Sequence, residues 1–135
     1  MDEARLIEVV QDHLRDRVTR GVALRCGVVS RSFVYRIERN LFLNPRVDRY
    51  IALCSSIALD VYVFSTRVDA GEAWSEALRE AIRIEHGSPS RFAAATGIAR
   101  TTACAWTRAK HFPRLRVALS VADVLGSRMT VRPRG

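Results

Sequence analysis

The side chains able to do chemistry in this chain are mostly arginines. Of its 22 basic residues Lys110 is the only lysine, and against 14 acidic residues they leave a net charge of +8. A guanidinium presents a planar fork of donors that matches a phosphate, or the N7 and O6 edge of a guanine. Such an excess of positive charge points to a polyanionic partner, although a GC-rich genome also favours arginine codons. Other chemistries fail on spacing. Cys26, Cys54 and Cys104 form no CxxC pair, and His13, His86 and His111 have no metal-ligand spacing, so neither a metal nor a cofactor is expected. Asp60, Asp69, Glu72 and Glu76 are near one another in sequence but have no His or Lys partner. A solvated charge run explains them, and the chain is not expected to be an enzyme.

Two stretches are fit to position the arginines. In residues 88–125, Ala93 precedes Gly97 by four residues, and Ala103 and Trp106 mark the inner face of the following short helix. A small residue allows two helices to cross closely, and a glycine takes the positive φ of a sharp turn between them. Residues 19–40 repeat the plan. Ala23 precedes Gly27 by four, Thr19 and Ser30 are candidate caps, Val22 and Ala23 lie on the first helix, and Val34 and Ile37 face inward on the second. The distance from Gly27 to Ile37 is ten residues, against nine from Gly97 to Trp106, so the first turn is expected to be one residue longer.

Both stretches resemble the Cro/repressor-like (XRE-type) helix-turn-helix family of phage and mobile-element regulators. The resemblance covers nearly all of residues 88–125, and the tail RIERN at residues 36–40 looks like the end of a recognition helix in that family. It implies an all-α fold of two tandem lambda-repressor-like domains, at 1–66 and 71–135, each ending in a short β-strand. It also implies that the second helix of each unit enters the major groove of double-stranded DNA. On this reading the first unit binds DNA through Thr19, Arg20, Ser30, Arg31, Ser32, Tyr35, Arg36 and Arg39. The second does so through Ser88, Ser90, Arg91, Arg100, Thr101, Arg108 and Lys110. Cys104 and Ala105 also face outward there but offer no long donor.

The remaining elements follow the same repeat. Leu6, Val10 and Leu14 recur every four residues in an amphipathic opening helix, as do Trp74, Leu78 and Ile82 after the expected boundary at residues 66–71. Pro45 and Pro113 are read as first-turn prolines. Val47, Tyr50, Cys54 and Ile57 form a core stripe after the first, matched in spacing by Leu115, Ala118, Ala122 and Leu125 after the second. Ala23 corresponds to Ala93 and Pro45 to Pro113, so the offset between the copies shrinks by two from one pair to the next. The first copy thus holds two extra residues, one in the turn and one after Glu38. Residues 61–64 and 129–131 are short extended pieces, expected to pair with each other or across a homodimer. The acidic opening MDEARL has no apolar signal core, and no apolar run approaches a membrane span. With no disulfide pattern, a cytoplasmic, nucleoid-bound protein is expected.

The function these features predict is sequence-specific transcription regulation, as a repressor with two unlike heads. The alternative is an interaction or dimerisation protein in which only the N-terminal copy binds DNA and the C-terminal copy binds a partner.

Overall fold

The computed structural model describes residues 2–40 and 43–134. Among them are eight helices and three strands: α1 (Glu3–Leu14), α2 (Arg17–Arg25), α3 (Arg31–Arg39), α4 (Val47–Ser56), β1 (Leu59–Val63), β2 (Thr66–Val68), α5 (Gly71–His86), α6 (Pro89–Thr96), α7 (Arg100–Thr107), α8 (Leu115–Val124) and β3 (Thr130–Pro133). None of these helices is long and apolar enough to cross a membrane.

Local chemistry sets the helix ends. Asp2 caps α1 by accepting from the Arg5 N–H at 2.8 Å, and the stripe Leu6, Val10 and Leu14 is buried together with Ile7 and Val9. Helix α2 begins earlier than expected. Asp16 caps it, accepting from the Thr19 N–H at 2.9 Å, while Thr19 is a helical residue whose hydroxyl donates to the same carboxylate. An ionised carboxylate at a helix start accepts these bonds more strongly than a neutral hydroxyl would. Val22 faces outward on α2, leaving Ala23 as its buried residue. Ser30 caps α3 and Ser88 caps α6, each accepting at 3.2 Å, and Pro89 opens α6.

Pro45 and Pro113 act differently from expectation. Helices α4 and α8 start at Val47 and Leu115, two residues beyond Pro45 and Pro113. The proline carbonyls accept from the other half instead: Val47 N–H donates to Pro113 O at 2.9 Å and Leu115 N–H to Pro45 O at 2.7 Å. The donors Val47 and Leu115 are equivalent positions of the two copies, and so are the acceptors Pro45 and Pro113. Each half therefore gives the other the bond it receives. The same relation appears at the helix starts. Arg116 forks onto Glu3 at 2.7 and 3.0 Å. Their equivalents in the opposite copies, Asp48 and Gly71, are pressed together so tightly that a Cβ on Gly71 would lie 2.8 Å from Asp48 Cβ. Reciprocal contacts of this kind are what an approximate two-fold axis between the halves imposes.

The fold is mostly helical but not all-α. Leu59, Val61 and Val63 point into the core and alternate with Asp60 and Tyr62, the period-2 pattern of a half-buried strand. Strand β1 is central, antiparallel to β2 and β3. The two extended pieces therefore pair within the chain, Val61 opposite Val131 and Tyr62 opposite Thr130. Strand β2 occupies the first half of the stretch read as the boundary between the copies. Its three residues are too few to show alternation, and its hairpin turns through Phe64 and Ser65 at positive φ without a glycine. Asp60 staples the sheet, accepting from Arg67 of β2 at 3.3 Å and from Arg134 beyond β3 at 3.0 Å.

Buried side chains of both halves join one apolar cluster, with Leu6, Ile37, Tyr50, Ile51, Trp74, Leu78, Phe92 and Leu115 among its inaccessible members. The hydroxyl of Tyr50 donates to the Leu6 carbonyl at 2.6 Å, which satisfies a polar group that burial would otherwise penalise. Cys54 lies wholly inside, its thiol pushed up to about 12 by burial, and behaves as a small apolar filler.

Candidate nucleic-acid interface

In the first unit the chain leaves α2 through Gly27, whose φ is +73°, and enters α3 four residues later. In the second it leaves α6 through Gly97, φ +77°, and enters α7 three residues later. Both glycines hold the left-handed conformation that other residues adopt at a cost. The first turn is one residue longer, as its spacing indicates. The second extra residue, placed after Glu38, falls in a stretch that includes residues 41 and 42, outside the described residues.

Past the turn the offset between the units has shrunk by one, and the helix faces then agree. Val34 and Ile37 are buried on α3, and Ala103 and Trp106 are buried at the matching positions of α7. Arg31, Ser32, Arg36 and Arg39 are exposed and Tyr35 is half-buried; their counterparts are Arg100, Thr101, Ala105, Arg108 and Cys104. The one-residue insertion is thus absorbed within the turn, and both helices present the same face. Ser30 is exposed at the start of α3, Thr19 and Arg20 are half-buried on α2, and Ser90 and Arg91 are exposed on α6. Ser88 is half-buried at its cap, and Lys110 is exposed in the loop after α7.

The first unit brings three of these side chains together, and Glu38 joins them. The guanidinium carbons of Arg20 and Arg39 each lie 5.6 Å from the centre of the Tyr35 ring, within cation–π range. Arg20 Nε also sits 3.4 Å from Glu38 Oε2. Glu38 is absent from the predicted set, because its partner Arg20 comes from α2 and no spacing along α3 announces it. The pair links α2 to α3, and the fork of Arg39 stays exposed. The second unit has no such cluster, because Cys104 stands where Tyr35 does and Thr107 where Glu38 does.

Charge is sorted by element. Helices α2 and α3 carry Arg17, Arg20, Arg25, Arg31, Arg36 and Arg39 against Glu38 alone. Helix α1 carries Glu3, Glu8 and Asp12 against Arg5, and α5 carries Glu72, Glu76, Glu80 and Glu85 against Arg79 and Arg83. A basic groove that the sequence did not announce lies beside the proline contact. It encloses about 200 Å³ and is lined by Phe33, Arg36, Leu43, Pro45, Arg46, Arg49 and Arg114. Arg46 is forked onto Asp48 at 2.8 and 2.6 Å, and Arg114 donates to the Asn44 carbonyl at 2.8 Å. Arg36 and Arg49 have no ion pair among the described residues. Arg46 and Arg114 are equivalent positions of the two copies, and they meet only because the halves pack reciprocally.

Nothing among the described residues gathers three His, Cys, Asp or Glu side chains around a metal position. The acidic run is divided by the fold: Asp60 is taken up by the sheet staple, while Asp69 and Glu72 stand exposed around the start of α5. A wider cavity, about 710 Å³, lies between the β1–β2 turn, α5 and the end of α8, away from α3 and α7. No protein-family model, curated protein or solved structure matches the chain.

Proposed function

We propose that this protein is a sequence-specific double-stranded DNA-binding transcription regulator, a repressor, whose two heads are lambda-repressor-like helix-turn-helix units at 1–66 and 71–135. The observation that carries the reading is the agreement of α3 and α7. After a glycine turn in the left-handed conformation, each buries two matched side chains and turns outward a row that starts with an arginine. A short basic helix held this way can lie in a major groove with its first residues on base edges. Arg31, Arg36 and Arg100 are the candidates for guanine N7 and O6, with Ser32 and Thr101 for a base or a phosphate. The Arg36, Arg46, Arg49 and Arg114 groove offers further phosphate contacts between the heads. Repression would be steric, the bound chain covering a promoter, and the protein would lie with the nucleoid in the cytoplasm. Footprinting on the DNA flanking its own gene tests this. A protected site there is the expected result, and uniform cleavage with and without protein would oppose it.

A second reading applies to the second unit alone. Cys104 and Ala105 give α7 short contacts, and an apolar groove of about 380 Å³ runs beside it, lined by Phe92, Ile98, Trp106, Val117, Val121 and Val124 among others. Val117 and Val124 are exposed. These features favour a partner-binding module. DNA affinity of Arg100→Ala and Thr101→Ala variants separates the two readings.

A further inference from the structure

Two heads on one chain can be arranged on DNA in two ways. Related by translation, they read successive sites in the same direction. Related by a two-fold axis, they read opposite strands in opposed directions, as the two subunits of a symmetric dimer do. Three separate contacts in this chain are reciprocal. Val47 bonds Pro113 while Leu115 bonds Pro45. Glu3 meets Arg116 while Gly71 meets Asp48. The strands that close each half, β1 and β3, pair antiparallel with Tyr62 opposite Thr130, its equivalent in the other copy. A translational array would place the second half's contacts on a new surface of the first. It would not return each contact to the equivalent residue.

The strand pairing also bears on assembly. The terminal strand of each half is the surface through which two such halves could dimerise, and here the two strands are used on each other. The outer edge of β1 is taken by β2. The outer edge of β3 carries Pro133, which has no N–H to offer, with Arg132 and Arg134 on either side; proline and charge at an edge discourage pairing with another chain.

We infer that the chain is a dimer in one polypeptide: it binds as a monomer and sets its two unlike heads in inverted orientation on one composite site. This rests on the DNA-binding reading proposed above. It adds that the heads are held in place by the shared core, so the separation of the half-sites is fixed and a duplex with the spacing altered by half a helical turn would engage one head only.

The test uses the full chain and a duplex recovered by selection from random sequence. Cys26 and Cys104 are replaced by serine. An iron chelate is then tethered through Arg25→Cys or Ala95→Cys, exposed positions that stand two residues after Ala23 and Ala93 and so match between the copies. Cleavage maxima from the two tethers should fall on opposite strands, symmetric about the centre of the site, with a complex mass of one chain per duplex. Maxima on the same strand, or two chains per duplex, would overturn the inference and leave DNA binding standing. Cleavage from the Arg25→Cys tether only would also overturn it, in favour of a single DNA-reading head. If selection recovers no duplex at all, the DNA-binding reading fails, and the inference with it.

Discussion

Replacing Gly71 by alanine probes the contact between the halves with a single methyl group. The added Cβ would sit 2.8 Å from Asp48 Cβ and 2.8 Å from Phe112 Cζ, against an ordinary carbon separation of about 3.5–4.0 Å. The Phe112 ring tip can swing aside. Asp48 Cβ cannot, being one bond from the backbone of α4, so α4 and α5 must separate by roughly 1 Å. Overpacking of this kind costs about 1–3 kcal/mol. Removing a glycine returns up to about 1 kcal/mol in unfolded-chain entropy. With both terms at mid-range the net is a loss of about 1–2 kcal/mol, or a fall in Tm of roughly 3–8 °C for a chain of this size. Thermal unfolding followed by circular dichroism at neutral pH measures it. In a double-mutant cycle with Asp48→Gly, which removes the opposing Cβ, the two substitutions should together cost less than their sum. A Gly71→Ala protein as stable as the parent, or costs that simply add, would refute the close approach and with it the reciprocal packing of the two halves.

Other outcomes follow from the same structure. Gly97→Val should lose stability through backbone strain alone, since nothing lies within 4 Å of its Cβ position; about 1–2 kcal/mol is expected for the left-handed φ, with sequence preference retained. Lost binding at unchanged Tm would show that the turn is misassigned. Burial pushes the Asp48 carboxyl up, but the Arg46 fork and nearby backbone donors together outweigh it and hold it below the ordinary 3.8. A carboxyl that binds its proton less readily when folded contributes stability above that value and loses it as the pH falls further. The stability gap between the parent and Asp48→Asn, read from urea unfolding, should therefore be widest near neutral pH and close below about pH 3.8; a gap unchanged in acid contradicts the pairing. Arg31→Ala or Arg36→Ala should cost about 1–3 kcal/mol at the selected site and much less on scrambled DNA. Equal losses on both would reassign these residues to phosphates.

Much of the fold was legible because the chain states its plan twice. The stripes Leu6, Val10, Leu14 and Trp74, Leu78, Ile82 were visible by period, and the turns by an alanine and a glycine at fixed spacing. Val61 and its neighbours broke the helical period, which announced a strand. Strand β2 was hidden because Thr66, Arg67 and Val68 are too short a run to alternate, and its turn lacks glycine. The cap of α2 was misplaced because Asp16 and Thr19 are both good caps, and only the structure shows the hydroxyl bonded to the carboxylate. At the candidate site, individual arginines could be read from sequence, but their grouping could not. Arg20 reaches Tyr35 and Glu38 from another helix, and Arg46 meets Arg114 from the opposite half of the chain. Both depend on packing that no local pattern encodes. The role of Pro45 and Pro113 was missed for the same reason: a proline before a helix looks like a first-turn residue until its carbonyl is seen bonded to the other half.

A salt titration reports directly on DNA binding through α3 and α7. The full chain is added to a fluorescent random-sequence duplex, and anisotropy gives the affinity at several salt concentrations between about 50 and 200 mM. Neutralising roughly six to ten phosphates should lower affinity about 10³–10⁵-fold over that range, with a linear slope on logarithmic axes. No binding at the lowest salt, or an affinity that does not change across the series, would contradict the account.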